Sequence, residues 1–171
     1  MNGGKHHCCC GHSLEDTHSE CCDICCSSEG VATEIDEHEL AILRELLKCN
    51  RLPVSQFEMC SSQTDEARFT ALAPVYIDEK SDSMEKVKLT ATRLKTLEAK
   101  KLISLDFEEA IPEYDYEKHL DSDLFHYFER TVQEGRRNAR FLCETAEIEC
   151  GSIAITPLGV TTAEFILGNA L

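Results

Sequence analysis

"DSMEKVKLTATRLKTLEAKKLISLDFEEA", residues 82–110, is the stretch on which the reading of the fold turns. Its first part places Val87, Ala91, Leu94 and Leu97 or Glu98 at the 3.6-residue period of an amphipathic helix, and Asp82 or Ser83 is of a type that caps a first turn. From Ile103 the period changes to two. Ile103, Leu105 and Phe107 alternate as in a strand half buried on one face, so the spacing predicts a helix that passes directly into a strand.

Working outward, "TEIDEHELAILRELLKCNRL" (33–52) carries Ile35, Ile42, Leu43, Leu46 and Leu47 at helical spacing. Acids fill the other side of this first helix, Thr33 with Asp36 suggests a capping box, and Pro53 bounds it. "PVSQFEMC" (53–60) reads as a short helix or a strand, and "SSQTDEA" (61–67) as loop. In "RFTALAPVYIDE" (68–79), Phe69, Ala71, Ala73, Val75 and Ile77 alternate as in a strand interrupted at Pro74. On the other side, "SDLFHYFERTVQEGRRNARFL" (122–142) is a third helix with the stripe Leu124, Phe125, Phe128 and Val132, weakened at Gly135. "AEIECGSIAITPLG" (146–159) suggests a strand pair around Gly151, and "VTTAEFIL" (160–167) a short amphipathic end.

The order helix, short element, helix, strand, strand is that of a winged helix. "LTATRLKTLEAKKLISLDFE" (89–108) resembles the recognition helix and first wing strand of MarR-like winged helix-turn-helix regulators. "GSIAITPLG" (151–159) resembles their second wing strand and the Thr, Pro and Gly that open the closing helix. The likeness spans residues 34–60 and 84–165. It implies an α+β fold of mainly helical winged-helix type with a small antiparallel wing sheet, and a homodimer that binds double-stranded DNA as a transcriptional regulator. Two departures stand out. Lys101 sits where such regulators place a glycine at positive φ, and about forty residues, including a helix, separate the two wing strands.

Charge provides a separate argument. Residues 82–101 hold six bases (Lys86, Lys88, Arg93, Lys95, Lys100, Lys101) and three acids (Asp82, Glu85, Glu98), a local excess of three positive charges in a chain of net charge −15. On that helix Lys88, Thr92, Lys95 and Thr96 lie away from the apolar stripe with Arg93 flanking. These five are the candidate DNA-binding residues, since lysine and arginine pair with guanine edges or phosphates and threonine meets a thymine methyl or a phosphate oxygen. The bland alternative is an ordinary solvated helix face. Arg136, Arg137 and Arg140 form a second basic patch, suited to phosphate contact or to a helix end.

The chemistry-bearing residues concentrate elsewhere. "MNGGKHHCCCGHSLEDTHSECCDICC" (1–26) holds seven of the eleven cysteines and four of the seven histidines. A segment with Leu14 and Ile24 as almost its only aliphatics buries no core unaided, so residues 1–30 are either disordered or organised by a ligand, ahead of a winged-helix domain at 31–171. Thiolate and imidazole are the ligands of zinc, copper(I) and iron–sulfur clusters. Cys9, His12, Cys22 and Cys25 give C-x2-H-x9-C-x2-C, a four-ligand set for tetrahedral zinc. The spacing also admits Cys8, Cys10, Cys21, Cys26, His6, His7 and His18, and "CCDICC" suits a cluster, a copper site or a dithiol switch. Cys49, Cys60, Cys143 and Cys150 read as small core residues, His38 as a surface group, and His119 and His126 as packing or capping residues.

The overall charge argues against nonspecific binding to nucleic acid or anionic membrane, because both depend on neutralising phosphates. No apolar run approaches the roughly 20 residues of a membrane helix. With an odd cysteine count and no export-type leader in the sequence, reduced thiols in the cytoplasm are the expectation. No phosphate loop, dinucleotide-binding glycine pattern, HExxH or nucleophile elbow is present, so no catalysis is expected. The sequence points to a cytoplasmic DNA-binding regulator with a metal- or redox-sensing head. The alternatives are an acidic protein-interaction module with a metal-carrying head, and a thiol or iron–sulfur redox protein.

Overall fold

A computed structural model describes residues 34–61 and 67–168. The chain divides into a first unit, Met1–Thr33, and a second, Glu34–Leu171. Helix α1 (Glu37–Cys49) starts at Asp36, whose carboxylate accepts from the Glu39 amide at 2.7 Å while Glu39 reaches back to the Asp36 amide at 3.1 Å. This capping box lies three residues beyond the Thr33 start read from the sequence; Thr33 itself is outside the described residues. Asn50, at φ 63, ends the helix, and the long strands β1 (Arg51–Cys60) and β2 (Arg68–Val75) follow.

Helix α2 (Met84–Ala99) is capped by Ser83 and buries Val87, Ala91, Leu94 and Leu97. It closes with two backbone bonds, Lys101 N–H to Glu98 O and Leu102 N–H to Leu97 O, around Lys101 at φ 60. Lysine therefore occupies the left-handed position that glycine adopts without penalty, at a cost of roughly 1 kcal/mol. Strand β3 (Ile103–Asp106) follows directly, as the change of period predicts. The one-turn α3 (Glu117–Leu120) and the helix α4 (Asp123–Gly135) come next, α4 capped by the Ser122 hydroxyl. Strand β4 (Thr145–Ile155) and helix α5 (Pro157–Gly168) complete the described residues.

The four strands form one antiparallel sheet in the order β2-β1-β4-β3. Strands β1 and β4 pair from Arg51↔Ala154 to Cys60↔Thr145 and form its centre. Because strand side chains alternate, both faces are used. Val54, Ile153, Leu102 and Ile103 join Leu43, Leu46, Leu94, Leu97 and Ala163 in one core, under α1, α2 and α5. Phe57, with Ala146 and Ile148 beside it, joins Val75, Ile77, Val87, Leu124 and Phe125 in a second, under α4 and the start of α2.

This architecture corrects the mainly helical winged helix expected from the sequence. Between α1 and α2, where a helix-turn-helix needs a short helix, the chain makes the β1–β2 hairpin, because Val54 and Phe57 fall on opposite faces of a sheet and each has a core to enter. The strand pair expected around Gly151 is a single strand. Ile148 belongs to one core and Ile153 to the other, so the break in alternation at Gly151 marks a change of buried face and not a turn. Glycine is needed there for close approach: a Cβ would lie 2.2 Å from the Asp106 carbonyl oxygen and 2.7 Å from the Phe107 Cα. The described sheet is thus central and four-stranded, with no two-strand wing.

Candidate functional site

Helix α2 carries the five residues singled out for DNA contact. Lys88, Thr92 and Lys95 lie exposed along one side. The Thr92 hydroxyl donates to the Lys88 carbonyl and the Thr96 hydroxyl to the Thr92 carbonyl, both at 3.0 Å, so their protons are spent inside the helix. Arg93 is drawn toward α1, its Nε 3.4 Å from the Asp36 carboxylate. That carboxylate is held below its ordinary range by the Glu39 amide first and by Arg93 in addition, against a smaller effect of burial. Lys86 pairs with Asp82 at 2.7 Å and Asp78 at 3.3 Å, and Lys100 with Glu39 at 2.9 Å. Burial works to raise the Asp82 carboxyl, but Lys86 and the amides of Glu79 and Asp78 prevail and hold it low. Half of the six bases counted on 82–101 are therefore neutralised within the fold, leaving Lys88, Lys95 and Lys101. The second basic patch, Arg136, Arg137 and Arg140, is exposed just past α4.

A groove opens beside Lys88. Its inner part, about 220 Å³, has a floor of Phe57, Leu72, Leu124 and Phe128 and a rim of Lys88, Tyr127 and Thr131. The floor is stiffened by ring contacts of Phe57 with Phe125 (5.1 Å) and Phe128 (5.5 Å). An outer cleft of about 540 Å³ adjoins it, lined by the first residues of α2 and α4, among them Ser83, Met84 and Asp123. Such an apolar floor with few polar groups is the form that binding sites take.

The cysteines of the second unit are placed very differently from one another. Cys60 and Cys143 are buried, Cys150 is half-buried and Cys49 is exposed, which departs from the core position expected of Cys49. Burial pushes the Cys60 thiol up, reinforced by Glu147, and burial with Glu149 does the same to Cys150. Thiols that keep their protons are poor ligands and poor nucleophiles. Among the described residues no group of three or more His, Cys, Asp and Glu side chains is placed to hold a metal. The set Cys9, His12, Cys22 and Cys25 lies outside the described residues.

A second polar group, not singled out as a site from the sequence, lies under α3. His119 is fully enclosed, and neither ring nitrogen has a hydrogen-bond partner. Burial pushes its pKa down to about 4, with Lys118 acting in the same direction; the Val75 carbonyl, which faces the ring outside hydrogen-bond geometry, acts against and is the smallest of the three. The Ser55 hydroxyl is likewise enclosed and unpartnered, and Ser55 is the register partner of Val75 on one side and Cys150 on the other. Tyr116, its ring 5.6 Å from that of His119, anchors the segment by donating to the Gly151 carbonyl. No sequence signal distinguishes the group, since its members come from four separate elements or turns.

On the other sheet face Arg68 bridges Glu58 (3.0 Å) and Glu147 (3.2 Å), and Gln56 donates to Glu58 and Glu149. Glu58 is buried and satisfied there, which reads as structure. No helix of the described residues is long and apolar enough to cross a membrane.

No family model matches the chain, and no curated protein matches it. Among solved structures the chain is similar to an uncharacterized protein from the hydrocarbon-degrading marine bacterium Alcanivorax borkumensis SK2, with 12% sequence identity and a TM-score of 0.42. The match covers 80% of this chain and 89% of that one.

Proposed function

We propose that this is a non-catalytic interaction protein whose Cys/His-rich head carries a soft metal ion and whose second unit is an acidic binding scaffold. The observation that supports the reading is the partition of the thiols. In the second unit Cys60 and Cys143 are committed to the interior, and Cys60 and Cys150 are biased toward the protonated form. The head concentrates seven cysteines and four histidines within 26 residues. Ligation by Cys9, His12, Cys22 and Cys25 needs deprotonated thiols and releases protons on binding, so metal would couple to order in that segment. Zinc fits the four-ligand spacing; copper(I) or an iron–sulfur cluster fits the thiol-rich "CCDICC". The test is the metal-to-protein ratio and absorbance spectrum of chain purified without oxygen. Stoichiometric metal that disappears in Cys22→Ser/Cys25→Ser supports the reading, and metal-free protein that resists reconstitution overturns it.

A second reading, a DNA-binding regulator, is favoured by the exposed row Lys88, Thr92 and Lys95 on α2. It predicts duplex binding that weakens steeply with salt, with the slope reduced by about one on Lys95→Ala. Anisotropy with labelled duplex DNA that shows no binding at low salt would remove it.

A further inference from the structure

Of the three bases on 82–101 that make no ion pair among the described residues, Lys88 is the one that borders a pocket. It stands one helical turn beyond Met84, and both residues line the inner pocket and the outer cleft. Unlike those of Lys86, Arg93 and the C-cap Lys100, its side-chain charge makes no ion pair or hydrogen bond among the described residues, although its carbonyl accepts from Thr92. Its ammonium group therefore sits where an aromatic floor meets an open mouth, in a protein whose net charge is −15.

The outer cleft beside it holds two helix starts together with two carboxylates, Asp82 and Asp123. The starts of α2 and α4 both border it, and the first amides of a helix favour negative charge. The Ser83 and Ser122 hydroxyls accept from the Lys86 and Phe125 amides, and the Asp123 amide donates to the Lys80 carbonyl. Of the two carboxylates lining the cleft, Asp82 is already engaged by Lys86 and the amides of Asp78 and Glu79. Asp123 remains at the first turn of α4. Among the described residues Lys88 is the one charged residue that lines the inner pocket, whereas Asp123 lines only the outer cleft, so a ligand seated in the inner pocket meets an ammonium, and the carboxylate further out disfavours a phosphate dianion or a polyanion.

The floor defines the rest of the ligand. Phe57, Leu72, Leu124 and Phe128 offer no polar side-chain atom, so whatever fills the inner pocket is apolar. That pocket, about 220 Å³, is below the range of roughly 300 to 1,000 Å³ typical of drug-sized ligands, which calls for a short tail. The geometry points to a binding site for a small apolar monocarboxylate, its carboxylate paired with Lys88 and its tail on the phenylalanine floor. The site involves no thiol and stands independently of any metal on the head.

The experiment is a titration of the isotope-labelled full chain, followed by NMR, with octanoate, octan-1-ol and octylamine, which share a tail and differ in charge. Octanoate is expected to bind saturably, to shift resonances of Met84, Lys88, Leu124, Tyr127 and Phe128, and to bind about tenfold tighter than octanol, with octylamine weakest. That difference corresponds to about 1.4 kcal/mol for the charge pair. Lys88→Met, at an exposed position without a partner, is expected to abolish the preference for octanoate while leaving octanol binding intact. Ala71→Phe, at an exposed position on the groove wall, is expected to block both ligands. Equal binding of octanoate and octylamine, shifts centred elsewhere, or an undiminished octanoate preference in Lys88→Met would overturn the assignment.

Discussion

Acid is expected to loosen this protein through one residue. His119 is fully enclosed with both ring nitrogens unpartnered, and its pKa is pushed from 6.5 down to about 4. The folded state therefore keeps the ring neutral while the unfolded chain protonates near pH 6.5. As pH falls from about 6.5 to 4, the unfolded state binds the proton first and stability is lost; above that window the linkage contributes nothing, and below it the loss is complete. A displacement of two and a half units at 1.36 kcal/mol each amounts to about 3 kcal/mol, a large share of the 5 to 15 kcal/mol that holds a typical domain together. The Asp36 and Asp82 carboxyls, both lowered, withdraw their stabilisation at lower pH, as the pH drops below their ordinary 3.8 toward their folded values. Urea unfolding of wild type and His119→Leu, followed by circular dichroism from pH 7.5 to 4, separates the contributions. Wild type should lose about 3 kcal/mol more than the variant across that window. Leucine should come within about 1 kcal/mol of histidine at pH 7.5, because the buried ring nitrogens it removes meet no hydrogen-bond geometry among the described residues and have only the Val75 carbonyl facing them. Parallel stability curves for the two proteins would refute the reasoning.

Other substitutions test the fold locally. Gly151→Ala places a methyl group 2.2 Å from the Asp106 carbonyl oxygen, against backbone that cannot rotate away, and should cost at least about 3 kcal/mol; a melting temperature within about 2 °C of wild type would contradict the close approach. Asp36→Ala removes the α1 cap and the Arg93 contact together, for an expected loss of about 1 kcal/mol in urea unfolding at pH 7. As the pH falls below the ordinary 3.8 and through the lowered folded value, that difference should shrink.

Much of the fold was legible because its signals are local. The 3.6 period of Val87, Ala91, Leu94 and Leu97 and the immediate change to alternation at Ile103 describe α2 and β3 as they stand. What misled was the assumption that a strand buries one face. In β1 and β4 the apolar residues switch faces partway, Val54 to Phe57 and Ile148 to Ile153, because each strand runs between two cores. Read along the chain, such a switch leaves helix and strand undecided at 53–60 and looks like a turn at Gly151. The expected glycine at 101 shows the reverse: the backbone does adopt the left-handed conformation, and lysine tolerates it.

The site was legible only in part. The basic count on 82–101 was readable, but the capture of Lys86, Arg93 and Lys100 by Asp82, Asp36 and Glu39 depends on how α1 and the turn before α2 pack. Lys88, with Lys95 and Lys101, is left without an ion pair among the described residues for that reason. The phenylalanine floor was invisible as a floor, since Phe57 and Phe128 meet only when α4 crosses the sheet. His119 looked like an ordinary packing or capping residue, and its full enclosure depends on how the one-turn α3 packs, which no local pattern records.

The central claim is that soft-ligand chemistry belongs to the head and not to the thiols of the second unit. Its most direct test is elemental analysis of three chains purified without oxygen: wild type, Cys22→Ser/Cys25→Ser, and Cys49→Ser/Cys150→Ser. Stoichiometric zinc, copper or iron is expected in the first and third, and its loss in the second. Metal retained by the head variant and lost from the Cys49/Cys150 variant, or absent from all three after reconstitution, would contradict it.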